Sequence, residues 1–90
     1  MSKLIRREVI LEQIESVAPN AVPEPTLKLR VASALGEPIT TADFDDDLIW
    51  LQSRGLIRSM DARLGAEDDD GNPIIRWVLT EAGQAELLRR

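Results

Sequence analysis

Three features of the chain predict a mostly helical α+β fold. Apolar residues recur at helical spacing three times before Gly55, two strand-like runs flank an acidic Gly-Asn turn, and a threonine opens a last helical segment. Ninety residues correspond to one domain, 1–90, whose core must be small.

From Lys3 to about Val17, Ile10, Leu11, Ile14 and Val17 recur on one side while Glu8, Glu12 and Glu15 take the other, as in an amphipathic helix. Ala18-Pro19-Asn20-Ala21-Val22-Pro23 carries two prolines and an asparagine and reads as a connector. A second helix is expected from Glu24 or Pro25, because proline suits a first turn whose N–H groups have no intrahelical partner. Leu27, Val31, Ala34 and Leu35 would line its inner face, Gly36 would take the left-handed conformation after its last turn, and Pro38 would block continuation. Thr40 or Thr41 can cap a third helix, in which Phe44, Leu48 and Leu51 form the core-facing stripe. With that stripe inward, Ala42, Asp43, Asp46, Trp50 and Ser53 point outward, Asp45, Asp47, Ile49 and Arg54 flank them, and Gly55 ends the helix.

Ile57–Leu64 alternates apolar and polar residues, and Ile74–Leu79 is rich in β-branched and aromatic ones. Asp70-Gly71-Asn72-Pro73 between them is a turn signal, since Gly and Asn tolerate positive φ and proline stops further pairing. The pair reads as a two-stranded hairpin with Ile75, Trp77 and Leu79 on the face packed against the helices. Thr80 then caps a short terminal helix with Leu87 and Leu88 as its apolar contacts and Arg89-Arg90 at the negative end of its dipole.

This order of elements, a three-helix core, a two-stranded β-hairpin wing and a short C-terminal helix, is that of a winged helix-turn-helix. It resembles the DNA-binding domains of bacterial transcriptional regulators of the PadR and MarR types. The resemblance is sharpest at Leu48-Ile49-Trp50-Leu51-Gln52-Ser53-Arg54-Gly55-Leu56-Ile57, similar to the end of a recognition helix and the start of a wing. Trp77-Val78-Leu79-Thr80-Glu81-Ala82-Gly83 looks like the wing's exit. The resemblance implies that the third helix lies in a DNA major groove while the hairpin reaches the backbone or minor groove. The implied base-reading positions are Thr41, Ala42, Asp43, Asp46 and Trp50. The chain departs from the family pattern here. Phosphates and most base edges call for donors, yet four aspartates fall between Asp43 and Asp47, and Glu67-Asp68-Asp69-Asp70 repeats the conflict at the wing tip.

Two sets of candidate residues follow. Thr41, Arg54, Arg58, Arg63 and Arg76 are the DNA-binding candidates. The arginines cluster around the helix exit and hairpin, where they can contact phosphates or pair with Asp61 and the acidic helix. Asp43, Asp46, Asp47, Ile49 and Trp50 are the candidates for the alternative, a surface that binds a basic protein partner or mimics nucleic acid. For the aspartates the competing reading is dipole stabilisation in a first helical turn, roughly 0.3 to 1 kcal/mol each. Trp50 reads either as a surface anchor beside Ile49 or as lateral packing on the hairpin. Trp77 reads as core.

The composition narrows the function classes. There is no cysteine and no histidine, which removes disulfides, thiolate chemistry, the commonest general base and zinc sites built on side-chain nitrogen or sulfur. A calcium loop with Gly71 at its sixth position would begin at Ala66 and end at Trp77, and neither side chain can coordinate. No nucleophile–base set is present, so no enzyme, metal site or cofactor is expected. The net charge of −5 opposes long-range approach to DNA, although a local basic patch can outweigh it within a Debye length of about 8 to 10 Å. No run is long enough for a membrane span and the N-terminus lacks a signal-peptide apolar region, so a cytoplasmic protein is expected. The partner is DNA or a protein, and the oligomeric state is open between monomer and homodimer.

Overall fold

The computed structural model of the protein describes residues 3–60 and 74–89. The described elements run in the order α1 (Lys3–Ser16), β1 (Val22–Pro23), α2 (Glu24–Leu35), α3 (Thr41–Ser53), β2 (Ile57–Met60), β3 (Arg76–Leu79) and α4 (Glu81–Leu88). This is the predicted winged-helix order with one addition. The proline-rich connector also supplies an edge strand, so the sheet has three antiparallel strands in the order β1-β3-β2. Pro23 is tolerated there because an edge strand need not donate on its outer side. The backbone N–H of Glu24 donates to the carbonyl of Ile75, and the Trp77 indole N–H donates to the Glu24 carboxylate at 3.1 Å. The start of α2 is thereby tied to β3.

Helix ends follow local chemistry. Gly36 (φ 75°) closes α2: its N–H reaches the Ser33 carbonyl and that of Glu37 reaches Ala32. Gly55 (φ 73°) closes α3 in the same way, with Gly55 N–H on Gln52 and Leu56 N–H on Leu51. In both, left-handed glycine lets two orphan carbonyls find donors. Thr40, of the two threonines expected to cap α3, accepts from the Asp43 N–H at 3.1 Å. Thr80 caps α4 by accepting from the Gly83 N–H at 3.0 Å, and its own hydroxyl donates to the Gly55 carbonyl.

The core gathers Ile10, Leu11 and Ile14 of α1, Leu27 and Val31 of α2, Phe44, Leu48 and Leu51 of α3, with Val22, Ile39, Ile57 and Trp77. Three apolar placements differ from expectation. Ala34 is exposed, and Ala32 packs on the core instead. Leu88 is 86% exposed, leaving Leu87 as the contact of α4. Ile75 is 44% exposed: it precedes β3 and borders an open cleft that it shares with residues of α3.

Gly83 explains the wing's exit motif. It is buried, and a Cβ built on it would stand 2.1 Å from the Leu56 carbonyl oxygen and 2.9 Å from a Leu79 methyl. With the Thr80 N–H on that same Leu56 carbonyl, α4 is clamped against the turn that leaves α3.

Candidate nucleic-acid and partner interfaces

Strand register sorts the hairpin side chains. Opposed residues share a face, so Ile57, Leu79, Ser59, Trp77 and Val22 point one way, and Arg58, Val78, Met60, Arg76 and Pro23 the other. Arg58 and Arg76 therefore lie on the same outer face. Each is opposed to the other's neighbour two residues along, a diagonal relation whose partners are roughly 7 to 8 Å apart. Arg58 is exposed, whereas Arg76 is half-buried with its Nε enclosed and without a hydrogen-bond partner among the described residues. No acid of the described residues lies within ion-pair distance of Arg54, Arg58 or Arg76. Arg63, Asp61 and the acidic turn Glu67-Asp68-Asp69-Asp70 lie outside the described residues.

Thr41 is exposed at the start of α3, and since Thr40 does the capping, its hydroxyl is free to accept from the Lys28 ammonium at 2.8 Å. Lys28 thus stands beside the end of α3 that the family resemblance points at DNA. Nothing in the helical pattern of α2 marks Lys28 for this place, which depends on how α2 packs beside the start of α3. Arg54 sits elsewhere. Its guanidinium lies over the Trp50 ring, 4.9 Å from the centroid, and Arg7 of α1 lies over the same ring at 4.2 Å.

That stacking corrects the reading of Trp50 as a surface anchor. The ring is half-buried against α1 and the core and is not a fully exposed anchor. Asp47 needs a larger correction. Expected on the flank of the outer face, it is fully buried, with Arg6 Nε bonded to one carboxylate oxygen and Arg7 Nε to the other at 3.0 Å. It follows Phe44 by three positions and precedes Leu51 by four, so helical geometry places it on the core stripe, and two cations from α1 make that burial tolerable. The Arg6 guanidinium is held more firmly protonated than a free arginine, chiefly by its hydrogen bond to Asp47 and then by the charges of Asp47, Asp43 and Asp46, against an opposing effect of burial.

The remaining outer face of α3 is acidic and apolar. Ala42, Asp43, Asp45, Asp46 and Gln52 are exposed, and Ile49 is 64% exposed. Asp43 stands 3.9 Å from Arg6, while Asp45 and Asp46 make no ion pair among the described residues. Ile49 and Asp45 border a cleft whose other wall is Ser59, Ile75 and Trp77. Among the described residues, no cluster of acids is arranged to hold a metal ion and no helix is long and apolar enough to cross a membrane.

No protein-family profile matches the chain, and no curated protein matches it in sequence. Solved structures do. A PadR-like transcription factor from Bacteroides fragilis superposes with a TM-score of 0.76 at 14% identity, over 97% of this chain and 77% of that one. A proposed transcriptional regulator from Thermoplasma acidophilum gives 0.72 at 14% identity, over 98% and 81%. RosR from H. salinarum gives 0.72 at 17% identity, over 93% and 66%. At such identities the shared property is the path of the chain, and the protein has the winged-helix fold of PadR-like and MarR-type regulators.

Proposed function

We propose that this protein is a DNA-associated winged-helix regulator or accessory factor that holds the sugar-phosphate backbone through the outer face of its sheet. The observation carrying this reading is the pairing of Arg58 and Arg76 on one face where, among the described residues, no acid stands within ion-pair distance and the enclosed Arg76 Nε–H has no acceptor. Guanidinium forks suit phosphate oxygens, and a buried unpaired donor gains most from acquiring an acceptor. Lys28 beside Thr41 supplies a further cation at the start of α3, and Arg63 is the fourth cation of the proposed set, whereas Arg54 is engaged on Trp50. Asp45 and Asp46 argue against insertion of α3 into the major groove, so the reading favours backbone contact over base reading.

Duplex binding at rising salt tests it. About four phosphate contacts give a log-log slope near −3 to −4, and Arg58→Gln with Arg76→Gln reduces its magnitude by about 2. No binding to pooled duplexes at low ionic strength, or an unchanged slope in the double variant, refutes the proposal.

A second reading, a module whose acidic third helix binds a basic protein partner, is favoured by one observation: Ile49 is 64% exposed one helical turn after Asp45 and Asp46, which make no ion pair among the described residues. Asp43, Asp45, Asp46 and Ile49 make up that surface. Asp47 and Trp50 support it from behind.

A further inference from the structure

The cleft between α3 and the root of the wing has an amphipathic make-up that the DNA reading does not use. Asp45, Leu48, Ile49 and Gln52 follow at helical spacing along one wall. Ser59, Ile75 and Trp77 of the sheet side line the rest of the cleft. Two aliphatic side chains, Ile49 and Ile75, are 64% and 44% exposed within this one cleft, where each could have been polar without disturbing the core. Its rim carries Asp45, and Glu24 at the start of α2 uses one carboxylate oxygen on Trp77. Among the described residues that line it, none is basic.

We infer that this cleft is a docking groove for a basic amphipathic segment of a protein partner, with an aliphatic side chain seated between Ile49 and Ile75 and a Lys or Arg next to it reaching Asp45. Charge complementarity selects the occupant. A phosphate backbone would bring its charge against Asp45 and Asp46, and a second copy of a chain of net charge −5 would meet like charge. Only a cationic segment satisfies the rim while covering the two isoleucines, as in the recognition of an amphipathic helix by an apolar groove. The inference rests on the second reading of the preceding section and is independent of the arginines of the sheet.

The test uses the full chain and a labelled twelve-residue peptide with leucine at every third or fourth position and lysine between. Amide shifts on titration should concentrate at Ile49, Gln52, Ser59 and Ile75. Ile49→Ser, at an exposed position, should keep the fold and weaken peptide binding by about fivefold or more. Asp45→Asn should weaken it as well, while Glu12→Gln, the same charge change on the exposed face of α1, should leave it within about twofold. Equal losses for Asp45→Asn and Glu12→Gln would reduce the effect to general charge attraction and overturn the inference. It is also overturned if Ile49→Ser has no effect, if duplex DNA shifts the Ile49 and Gln52 amides of α3, or if the wild type is a dimer that Ile49→Ser dissociates. The two proposals fail separately: Arg58→Gln with Arg76→Gln should weaken DNA binding and its salt dependence while keeping the peptide, and Ile49→Ser should do the reverse.

Discussion

Arg7 donates through Nε to Asp47 at 3.0 Å and so joins the first helix to the third inside the core. Arg6 takes the other carboxylate oxygen, and the side chains of the three residues are 16%, 0% and 12% exposed for Arg7, Asp47 and Arg6. Removing one member of a buried, hydrogen-bonded ion group costs more than the group contributes, because the remaining charges stay desolvated. Asp47→Asn should lower unfolding stability by about 3 to 5 kcal/mol in urea titration. Asp46→Asn, one residue away on the surface, should change it by less than about 0.5 kcal/mol. Replacing the whole group, Arg6→Met with Arg7→Met and Asp47→Leu, should recover most of the loss.

The pH behaviour of Arg6 has a definite sign. Its folded pKa is raised above the unfolded value, so its stabilisation is complete below the unfolded value and is lost only as pH climbs through the folded one. A free arginine titrates far above the neutral range, so this contribution should be flat across it. Arg6→Lys moves the limit down, since lysine titrates near pH 10.4 when free. Thermal melts between pH 7 and 11 should show the variant losing stability at the alkaline end, relative to its own neutral value, before the wild type does. Superimposable alkaline limbs would contradict the assignment.

Elements with a local cause were legible in the chain. Gly36 and Gly55 announce helix ends, Thr80 announces a cap, and Phe44, Leu48 and Leu51 announce a buried stripe. What was not legible depends on partners distant in sequence. Asp47 looks like any surface acid until Arg6 and Arg7, about forty residues earlier, arrive beside it. Val22 and Pro23 look like connector until Trp77 and Arg76 pair with them. The exposure of Ile75 was missed because strand alternation says which side a residue faces and not how far the helices extend to cover it. The candidate site divided along the same line: register brought Arg58 and Arg76 to one face, while Trp50 took Arg54 to another place.

Gly83 tests the closure of the wing. Its missing side chain lets α4 approach the Leu56 carbonyl, and a methyl group 2.1 Å from that oxygen cannot be accommodated by a rotamer change because the obstacle is backbone. Gly83→Ala should therefore destabilise by at least about 1 to 3 kcal/mol, although alanine is intrinsically the better helix former by roughly 1 kcal/mol. A stability equal to or above wild type in chemical denaturation would mean that α4 does not close on this turn.

The adjacent threonines at the start of α3 separate a structural role from a surface one. Thr40 accepts from the Asp43 N–H, one of the donors that the first helical turn leaves without an intrahelical partner. Thr41 accepts from the Lys28 ammonium, an exposed contact between flexible groups. Thr40→Ala should cost about 1 kcal/mol of stability through the lost cap, and Thr40→Asp should restore it, since aspartate caps at least as well and adds a favourable charge at the positive end of the dipole. Thr41→Ala should leave the melting temperature nearly unchanged while freeing the Lys28 head group. If the two alanine variants melt alike, the cap lies at the wrong residue and the start of α3 shifts by one.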